Sequence, residues 1–330
     1  MKSISHLLKF DPIYKEKIWG GHKIRTELGK DFGHLANCGE SWEVSGVPGD
    51  ISVIATGPFK GQNIIDLLHT YKGELVGKKV YKKFGDLFPL LIKFIDANAD
   101  LSIQVHPNDE LASERHNSFG KTEMWYIIQA DEGAELISGF NRALDKDSYL
   151  EYFRAGKIME ILNREMAVNG DVFLLPAGRV HTIGKGLLLI EIQQTSDVTY
   201  RIFDFNRKDN SGKLRDLHTE KAVDAIDYTY YNHYKTNYVR RINEPVVISE
   251  CPYFSTSLLH FNQTVSRTYK QLDSFVILIC TEGGMTVKSR YEEIIVKKGE
   301  TILIPAIIDS VELLPEGSFN VLETYVPSQL

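Results

Sequence analysis

Four side chains on three separate segments have the chemistry of a metal site: Gln104, His106, Glu123 and His181. Alternation along the predicted strand Ser102–Val105 places Gln104 and the following His106 on one face. Amide, imidazole and carboxylate donors in this combination suit zinc and leave room for water or substrate. A purely structural zinc more often has cysteine ligands, and no cysteine lies near these segments. The set therefore predicts a redox-silent metal site, although the strand alone also fits a half-exposed element whose polar face meets water.

The segment that delivers His181 has a structural reason for each fixed position. From Gly170 it reads Gly-Asp-Val-Phe-Leu-Leu-Pro-Ala-Gly-Arg-Val-His. Val172–Leu175 is an apolar strand, and Pro176 with Gly178 predicts a turn in which glycine adopts positive φ. His181 then begins the next strand, so its position is fixed before any metal binds. Taken alone, the pattern also fits a surface histidine, and its interpretation as a ligand depends on its partners.

Charged residues interrupt the apolar segments around these ligands. Lys93 and Glu191 lie within apolar strands, Arg201 follows the second of them, and Lys121 shares a strand face with Glu123. Because charges in such strands are rarely buried unpaired, structural ion pairs among Lys93, Glu191 and Arg201 are one interpretation. A surface ion pair of little energy is the corresponding interpretation of Lys121 and Glu123. The alternative is a charged pocket beside the metal, suited to an anionic, oxygen-rich substrate such as a sugar phosphate.

Mostly strands must position these residues. Short β-branched and aromatic runs bounded by Gly, Pro or Asp dominate the chain, which predicts a mainly β fold with short helical insertions. The predicted strands are Ile51–Ala55, Leu90–Ile95, Ser102–Val105, Glu123–Gln129, Val172–Leu175, Leu187–Gln193, Phe254–Phe261, Phe275–Cys280 and Thr301–Ile304. The predicted helices are Ile64–Leu68, Leu75–Val80, Asp147–Phe153, Ile158–Asn163 and Thr219–Ile226, and Asn206–Leu217 is expected to be a loop.

An internal repeat predicts two β-barrels of related design. Gly299–Pro305 repeats Gly170–Pro176, and upstream Val276–Gly283 resembles Tyr126–Gly133. The second copy lacks the ligands, since Ile307 replaces the turn glycine and Ser310 stands where His181 should be. We therefore expect the first barrel to carry the chemistry and the second to be structural.

The repeat also suggests a division of the chain. We expect an N-terminal region and metal-binding barrel over 1–205 with a helical insertion at about 145–165, a helical and loop connection over 206–240, and a degenerate barrel over 241–330.

Composition narrows the classes of function. The net charge is −6 without a basic block, which argues against nucleic acid as a partner. No apolar run is long enough to span a membrane, and the N-terminus does not resemble a signal peptide. Three scattered cysteines, Cys38, Cys251 and Cys280, have neither disulfide nor Cys-x-x-Cys spacing, which suits a reducing cytoplasm.

Taken together and in this order, the motifs resemble those of the type I mannose-6-phosphate isomerases (phosphomannose isomerases) in their shorter bacterial form, while the His181 turn alone resembles a motif shared by all cupin β-barrels. The matching segments are Trp19–Gly21, Gly39–Trp42, Leu101–Pro107, Lys121–Glu123, Pro176–His181 and Glu191–Arg201. The large helical insertion of the longer relatives is missing, so contacts built by that insertion cannot be carried over.

The resemblance implies a zinc-dependent bicupin, two jelly-roll β-barrels in one chain, that interconverts mannose 6-phosphate and fructose 6-phosphate. It implies one zinc ion on His106, Glu123 and His181, with Gln104 as a fourth ligand in some members. It further implies that Arg201 is catalytic and that Ser102, Lys121 and Glu191 lie in the pocket.

For the reaction we expect proton transfer between carbons 2 and 1 through an enediol, with Glu191 as one candidate base and Lys121 and Arg201 as further catalytic residues. Lys93, Ser102 and Lys121 are the candidates for orienting the substrate. The expected partner is a small sugar phosphate, and the expected assembly is a monomer or weak homodimer. Two other functions stay open: another metal-dependent cupin enzyme such as a dioxygenase, and a non-catalytic sugar-binding cupin.

Overall fold

Four antiparallel sheets contain most of the regular secondary structure in the computed structural model, which describes residues 3–208 and 212–327. The strands are β1 (Leu8–Asp11), β2 (Ile13–Lys15), β3 (Glu40–Val44), β4 (Val53–Ile54), β5 (Leu90–Ala97), β6 (Ile103–Val105), β7 (Glu123–Ala130), β8 (Glu135–Phe140), β9 (Leu162–Met166), β10 (Val172–Leu175), β11 (His181–Ile183), β12 (Leu187–Gln194), β13 (Tyr200–Phe203), β14 (Val246–Glu250), β15 (Ser255–Phe261), β16 (Val265–Thr268), β17 (Val276–Glu282), β18 (Gly284–Lys288), β19 (Glu293–Lys297), β20 (Thr301–Ile304), β21 (Ser310–Pro315) and β22 (Phe319–Tyr325). The helices are α1 (Lys23–Thr26), α2 (Ile64–Tyr71), α3 (Gly73–Val76), α4 (Lys78–Phe84), α5 (Asp109–His116), α6 (Lys146–Arg154) and α7 (Thr219–Ala225), with 3₁₀ turns at Gly57–Phe59 and Ile158–Glu160. The prediction of a mainly β fold is confirmed.

The sheets form two units. In the first unit, a six-stranded sheet (β10-β7-β12-β5-β3-β2) faces a five-stranded sheet (β13-β6-β11-β8-β9). In the second, a seven-stranded sheet (β14-β15-β22-β17-β20-β1-β4) faces a four-stranded sheet (β16-β21-β18-β19). The six- and seven-stranded sheets also pack back to back across the largest apolar core. The result is a stack of four layers.

This stacking explains why the central strands read as almost continuous apolar runs. In β5, Ile92 and Phe94 enter the core between the two units, whereas Ile95 packs inside the first unit. In β12, Ile190 and Leu189 divide in the same way. A strand that is covered on both faces needs apolar residues at consecutive positions, so the few charges in it stand out.

Most predicted elements are found within one or two residues, two helical predictions change, and one helix was not predicted. The predicted helix Leu75–Val80 is split into α3 and α4 at Gly77. This position requires glycine, because its φ is +98° and a Cβ atom added there would lie 1.9 Å from the carbonyl oxygen of Asp273. The prediction of a helix over Ile158–Asn163 is wrong, because a 3₁₀ turn gives way to β9, which pairs with the edge of β8. Helix α5 was not expected; Asn108 caps it through the amide of Leu111.

The repeat is reproduced in the sheets. Ser310 begins β21 as His181 begins β11, and each strand enters the smaller sheet of its unit. The division of the chain into domains stays a prediction. Strands β1 and β4 lie in the seven-stranded sheet, so the N-terminal segment shares backbone hydrogen bonds with the second unit.

The connection after β13 is partly helical, as expected, through α7. Residues 209–211 of the predicted loop Asn206–Leu217 lie outside the described part of the chain. Within residues 3–208 and 212–327, no helix is both long enough and apolar enough to cross a membrane.

Candidate metal centre and substrate pocket

A row of side chains crosses the inner face of the six-stranded sheet. Phe173, Trp125, Glu191, Lys93 and Trp42 are successive cross-strand partners on β10, β7, β12, β5 and β3. Directly opposed residues of antiparallel strands share one face, so the two charges of the row lie side by side between aromatic rings.

A second row crosses the five-stranded sheet opposite. Arg201, Gln104, His181 and Ser138 are successive partners on β13, β6, β11 and β8. The facing rows bring the charges of one sheet toward the amide, imidazole and guanidinium groups of the other. Both rows contribute side chains to the cavity between the two sheets.

The predicted ligands meet at this place. Ligand atoms of His106, Glu123 and His181 all lie within 4.8 Å of one another. Nε2 of His106 is 3.4 Å from Oε2 of Glu123, and Nε2 of His181 is 3.2 Å from Oε1. The exposed fraction of each side chain is at most 1 %. The amide nitrogen of Gln104 is 3.2 Å from Nε2 of His181, so the Gln104 oxygen would reach the same point after rotation of the amide by half a turn.

The hydrogen bonds of the two imidazoles fix which nitrogen is available. Nδ1 of His106 lies 2.9 Å from the carbonyl of Val198, and Nδ1 of His181 lies 2.8 Å from the carbonyl of Arg179. A carbonyl only accepts, so Nδ1 carries the proton and Nε2 offers its lone pair toward Glu123. This is the orientation that metal-binding histidines adopt.

Electrostatics keep this cluster in its ligating protonation state. Burial lowers the pKa of His181 to about 3, and burial together with the Lys121 charge lowers the pKa of His106. Burial alone would raise the pKa of Glu123, but the adjacent Lys121 ammonium outweighs burial, so the pKa of Glu123 is well below its usual range. Neutral imidazoles and an ionised carboxylate are the forms that bind a metal.

One buried oxygen of the cluster has no hydrogen-bond partner in the described part of the chain, which indicates a site for a cation. Among the described residues, Oε1 of Glu123 is buried without a hydrogen-bond partner, and it lies 3.2 Å from the lone pair on Nε2 of His181. Two acceptors facing each other in the protein interior are unfavourable unless a positive charge lies between them. The geometry and the donor set therefore fit a metal ion.

Lys121 links this cluster to the charged row. Its ammonium donates to Glu123 at 2.6 Å and to Nε2 of His106 at 3.2 Å, and lies 3.8 Å from Glu191. Glu191 is held on both oxygens, by Lys93 at 3.0 Å and by the indole of Trp125 at 3.0 Å. The charges predicted from the interrupted strands are thus buried and paired, and with Lys121 they line the cavity beside the cluster.

Backbone contacts of one turn hold the three ligand segments together. The amide of Gly178 donates to the carbonyl of His106 at 2.9 Å, and the amide of Ala177 donates to the hydroxyl of Thr122. On the other side, the amide of Asp227 donates to the carbonyl of Gly178. With φ of +93°, the turn needs glycine at 178, as its sequence predicts.

A cavity of about 360 Å³ opens beside the ligands. Its walls are formed by Lys17, Trp19, Glu40, Trp42, Lys93, Ile95, Leu101, Ser102, Gln104, Lys121, Ile183, Glu191, Asp197, Thr199, Arg201 and Arg215. Every residue predicted for substrate or catalysis is among them. Trp19 and Trp42, which belong to two of the segments that match the family motifs, line it as well.

Sequence reasoning missed the charges around these tryptophans and one arginine. Lys17 and Glu40 each stand two residues before a pocket tryptophan, and the spacing in those two segments was a usable signal. Arg215 comes from the polar loop, where no periodicity or motif distinguishes it from a surface residue.

Comparison with known proteins places this site in a family. The profile of the phosphomannose isomerase type I catalytic domain matches residues 7–133, and that of the mannose-6-phosphate isomerase cupin domain matches residues 246–325. Mannose-6-phosphate isomerase ManA of Bacillus subtilis is 38% identical over 305 residues, which cover 90% of this chain and 92% of the relative. The chain belongs to the type I phosphomannose isomerases. The resemblance predicted from the motifs is confirmed, and with it the bicupin fold class and the assignment to an enzyme family.

Other relatives agree. Mannose-6-phosphate isomerase of Streptococcus mutans is 34% identical, covering 94% of this chain and 95% of its own length. The crystal structure of the Bacillus subtilis mannose 6-phosphate isomerase superposes with a TM-score of 0.86 at 32% identity, covering 96% of this chain and 99% of that one. A phosphomannose isomerase variant from Salmonella typhimurium, 17% identical with a TM-score of 0.78 over 97% of this chain and 99% of its own, shares the fold.

Proposed function

We propose that this member of the family is a zinc-dependent isomerase that interconverts mannose 6-phosphate and fructose 6-phosphate. The observation that carries the proposal is the position of a buried histidine–glutamate–histidine cluster at the wall of a pocket lined by lysines and arginines. An open-chain sugar phosphate needs both features, because its carbonyl end must be polarised and its anionic end must be bound.

His106, Glu123 and His181 would hold one zinc ion per chain, with Gln104 as a fourth ligand. When bound, zinc supplies Lewis-acid stabilisation of negative charge that develops on substrate oxygens. Two histidines and a carboxylate occur in catalytic zinc sites and also in non-haem iron sites. Membership of an isomerase family favours zinc, because an aldose–ketose interconversion needs no change in the oxidation state of a metal.

Glu191 is our candidate for the base that moves the proton between carbons 2 and 1 of the substrate through an enediol. A carboxylate offers about four lone-pair sites. Lys93 and Trp125 use two of those on Glu191, so the group is held rigidly and still has acceptor capacity. Rigid placement is what a base needs to reach one proton and leave its neighbours untouched.

The remaining pocket residues would orient the substrate. Ser102 is buried beside Gln104 and presents a hydroxyl to the cavity. Lys121, Lys93 and Arg201 would balance the negative charge of the substrate, and Lys121 and Arg201 would also stabilise the transition state. The side chains of the three proposed ligands are almost completely buried beside this pocket.

Metal content and turnover test the proposal together. We expect the purified protein to contain zinc and to convert mannose 6-phosphate in an assay that couples fructose 6-phosphate to a reporter enzyme. Chelation, or His181→Ala, should remove both zinc and activity, whereas Glu191→Gln should lower kcat and retain the metal. Full activity without metal would contradict the proposal. Iron with oxygen consumption would indicate a dioxygenase, and sugar binding without turnover would indicate a binding protein.

We also propose a cellular compartment and an assembly for this protein. All three cysteines are free thiols, and two of them are buried, which supports a reducing cytoplasm. A monomer or weak homodimer remains our proposal for the assembly.

A further inference from the structure

We infer that Arg215, held in place by Asp204, binds the phosphoryl group of the substrate at the end of the pocket away from the metal ligands. The inference rests on the proposed isomerase function and assigns a residue to the anionic end of its substrate. Arg215 lines the cavity, although it comes from the loop that follows the first unit.

Asp204 positions the Arg215 side chain. The exposed fraction of the Asp204 side chain is only 4 %, and its two oxygens accept from Nε and Nη2 of Arg215 at 2.6 Å each. The third nitrogen of the guanidinium, Nη1, is not engaged by this carboxylate. A bidentate pair fixes the plane of a guanidinium, so the remaining donors point in a defined direction.

Positive charge accumulates around this single buried carboxylate. Arg207 also donates to Asp204, at 2.5 Å. Arg201 lies on β13, the strand that ends directly before Asp204. Nε of Arg201 is buried and has no hydrogen-bond partner within the described residues. In the described ranges 3–208 and 212–327, the Arg201 guanidinium donates only to a backbone carbonyl, that of Asp216, at 2.7 Å. Arg201 and Arg215 line the same cavity, and burial, and after it the charge of Arg215, lowers the pKa of Arg201.

The cations of the opposite wall are already neutralised. Lys93 pairs with Glu191 at 3.0 Å, and Lys17 lies 3.4 Å from Glu40. A phosphate that replaced either carboxylate would leave a buried negative charge without its partner. The arginine end can accept an anion without breaking an existing ion pair between side chains of the pocket.

The separation of the two ends matches the substrate class. Arg201 and His181 lie in one row and are two strands apart, with Gln104 between them. Two strand spacings correspond to about 9 to 10 Å. An extended six-carbon sugar with a phosphate at carbon 6 is comparable in length, so its carbonyl can lie beside the metal ligands while its phosphate reaches the arginines.

Phosphate binding by the zinc-loaded protein tests the assignment. Calorimetric titration with inorganic phosphate would be combined with KM and kcat for mannose 6-phosphate and with the zinc content of each variant. Loss of a charge-assisted hydrogen bond should raise the phosphate Kd and KM of Arg215→Gln on the order of 10- to 100-fold. Asp204→Asn should shift both in the same direction, and Arg215→Lys, which keeps the charge, should shift them less. Zinc content should be unchanged in all three.

Two variants serve as controls. Arg241→Gln removes the same charge at an exposed position paired with Glu244, and should leave both constants unchanged. Lys17→Gln tests the opposite wall. Unchanged phosphate affinity in Arg215→Gln, or a rise confined to Lys17→Gln, would overturn the inference. If the wild type bound phosphate through Arg215 but did not isomerise mannose 6-phosphate, the proposed function would fail and the phosphate subsite would stand.

Discussion

Replacement of Lys121 by methionine separates the charge that the protein supplies from the charge that a metal supplies. Without metal, the Lys121 ammonium at 2.6 Å is the cation closest to the Oε2 atom of Glu123, and both side chains are almost fully buried. Removal of one partner of a buried pair costs about 3–5 kcal/mol, because an uncompensated charge remains. We expect a loss of this size in the free energy of unfolding of zinc-free Lys121→Met.

With zinc bound, the metal compensates Glu123, so the same substitution should be less harmful. Part of the loss should persist, since Lys121 also lies 3.8 Å from Glu191. If about half is recovered, roughly 1.5 to 2.5 kcal/mol, linkage requires zinc to bind about 10- to 70-fold more tightly to the variant. The Lys121→Met protein should thus have a lower free energy of unfolding and a higher affinity for zinc than the wild type.

Urea denaturation of zinc-free and zinc-loaded protein measures the two stabilities, and competition with a chromophoric chelator measures the zinc Kd. Lys93→Met is the matched control, because Lys93 pairs with Glu191 and donates no hydrogen bond to Glu123. Its loss of stability should be nearly the same in both states. Weaker or unchanged zinc binding by Lys121→Met would refute the reasoning.

Three further outcomes are expected. Gly178→Ala forces a side chain into φ of +93° and 3.0 Å from the carbonyl of Ala225; we expect a loss of about 1–3 kcal/mol in urea denaturation and a weaker zinc Kd. Arg267→Met leaves buried Glu323 unpaired in the second unit and should cost about 3–5 kcal/mol, with zinc content unchanged by metal analysis. Burial raises the pKa of Asp204, but the hydrogen bonds from Arg215 and Arg207 outweigh burial and lower it. The stability that ionised Asp204 contributes should therefore be complete above the ordinary pKa of about 3.9 and disappear as pH falls through the lowered pKa. The stability difference between wild type and Asp204→Asn should therefore be constant near neutrality and shrink in acid denaturation; a constant difference at all pH values would contradict it.

The sequence alone was sufficient for the features that depend on local periodicity and spacing. Alternation predicted that Gln104 and His106 share a face, and the apolar segments predicted where β7, β10 and β12 lie. The imperfect repeat predicted that the first unit carries the chemistry, and the histidine–glutamate–histidine cluster lies in that unit. These inferences succeed because a strand has a period of two and a glycine turn has few permitted conformations.

Local reasoning failed where a distant segment decides the outcome. The break between α3 and α4 at Gly77 is required by the close approach of Asp273, almost two hundred residues away. Strand β9 replaces a predicted helix because the edge of β8 offers hydrogen bonds. In both cases the tertiary partner outweighs a weak helical preference.

For the site, sequence determined which residue types are available and the structure decided how they are used. The positions of Lys93 and Glu191 within apolar strands indicated that these charges need partners. Their pairing with each other, and that of Glu191 with Trp125, depends on strand register. Arg215 carries no signal in its own segment, and only the fold brings it to the cavity through Asp204. The physical reason is range: periodicity reports on the few residues around a position, whereas a pocket is assembled from side chains that are neighbours only after the sheets have stacked.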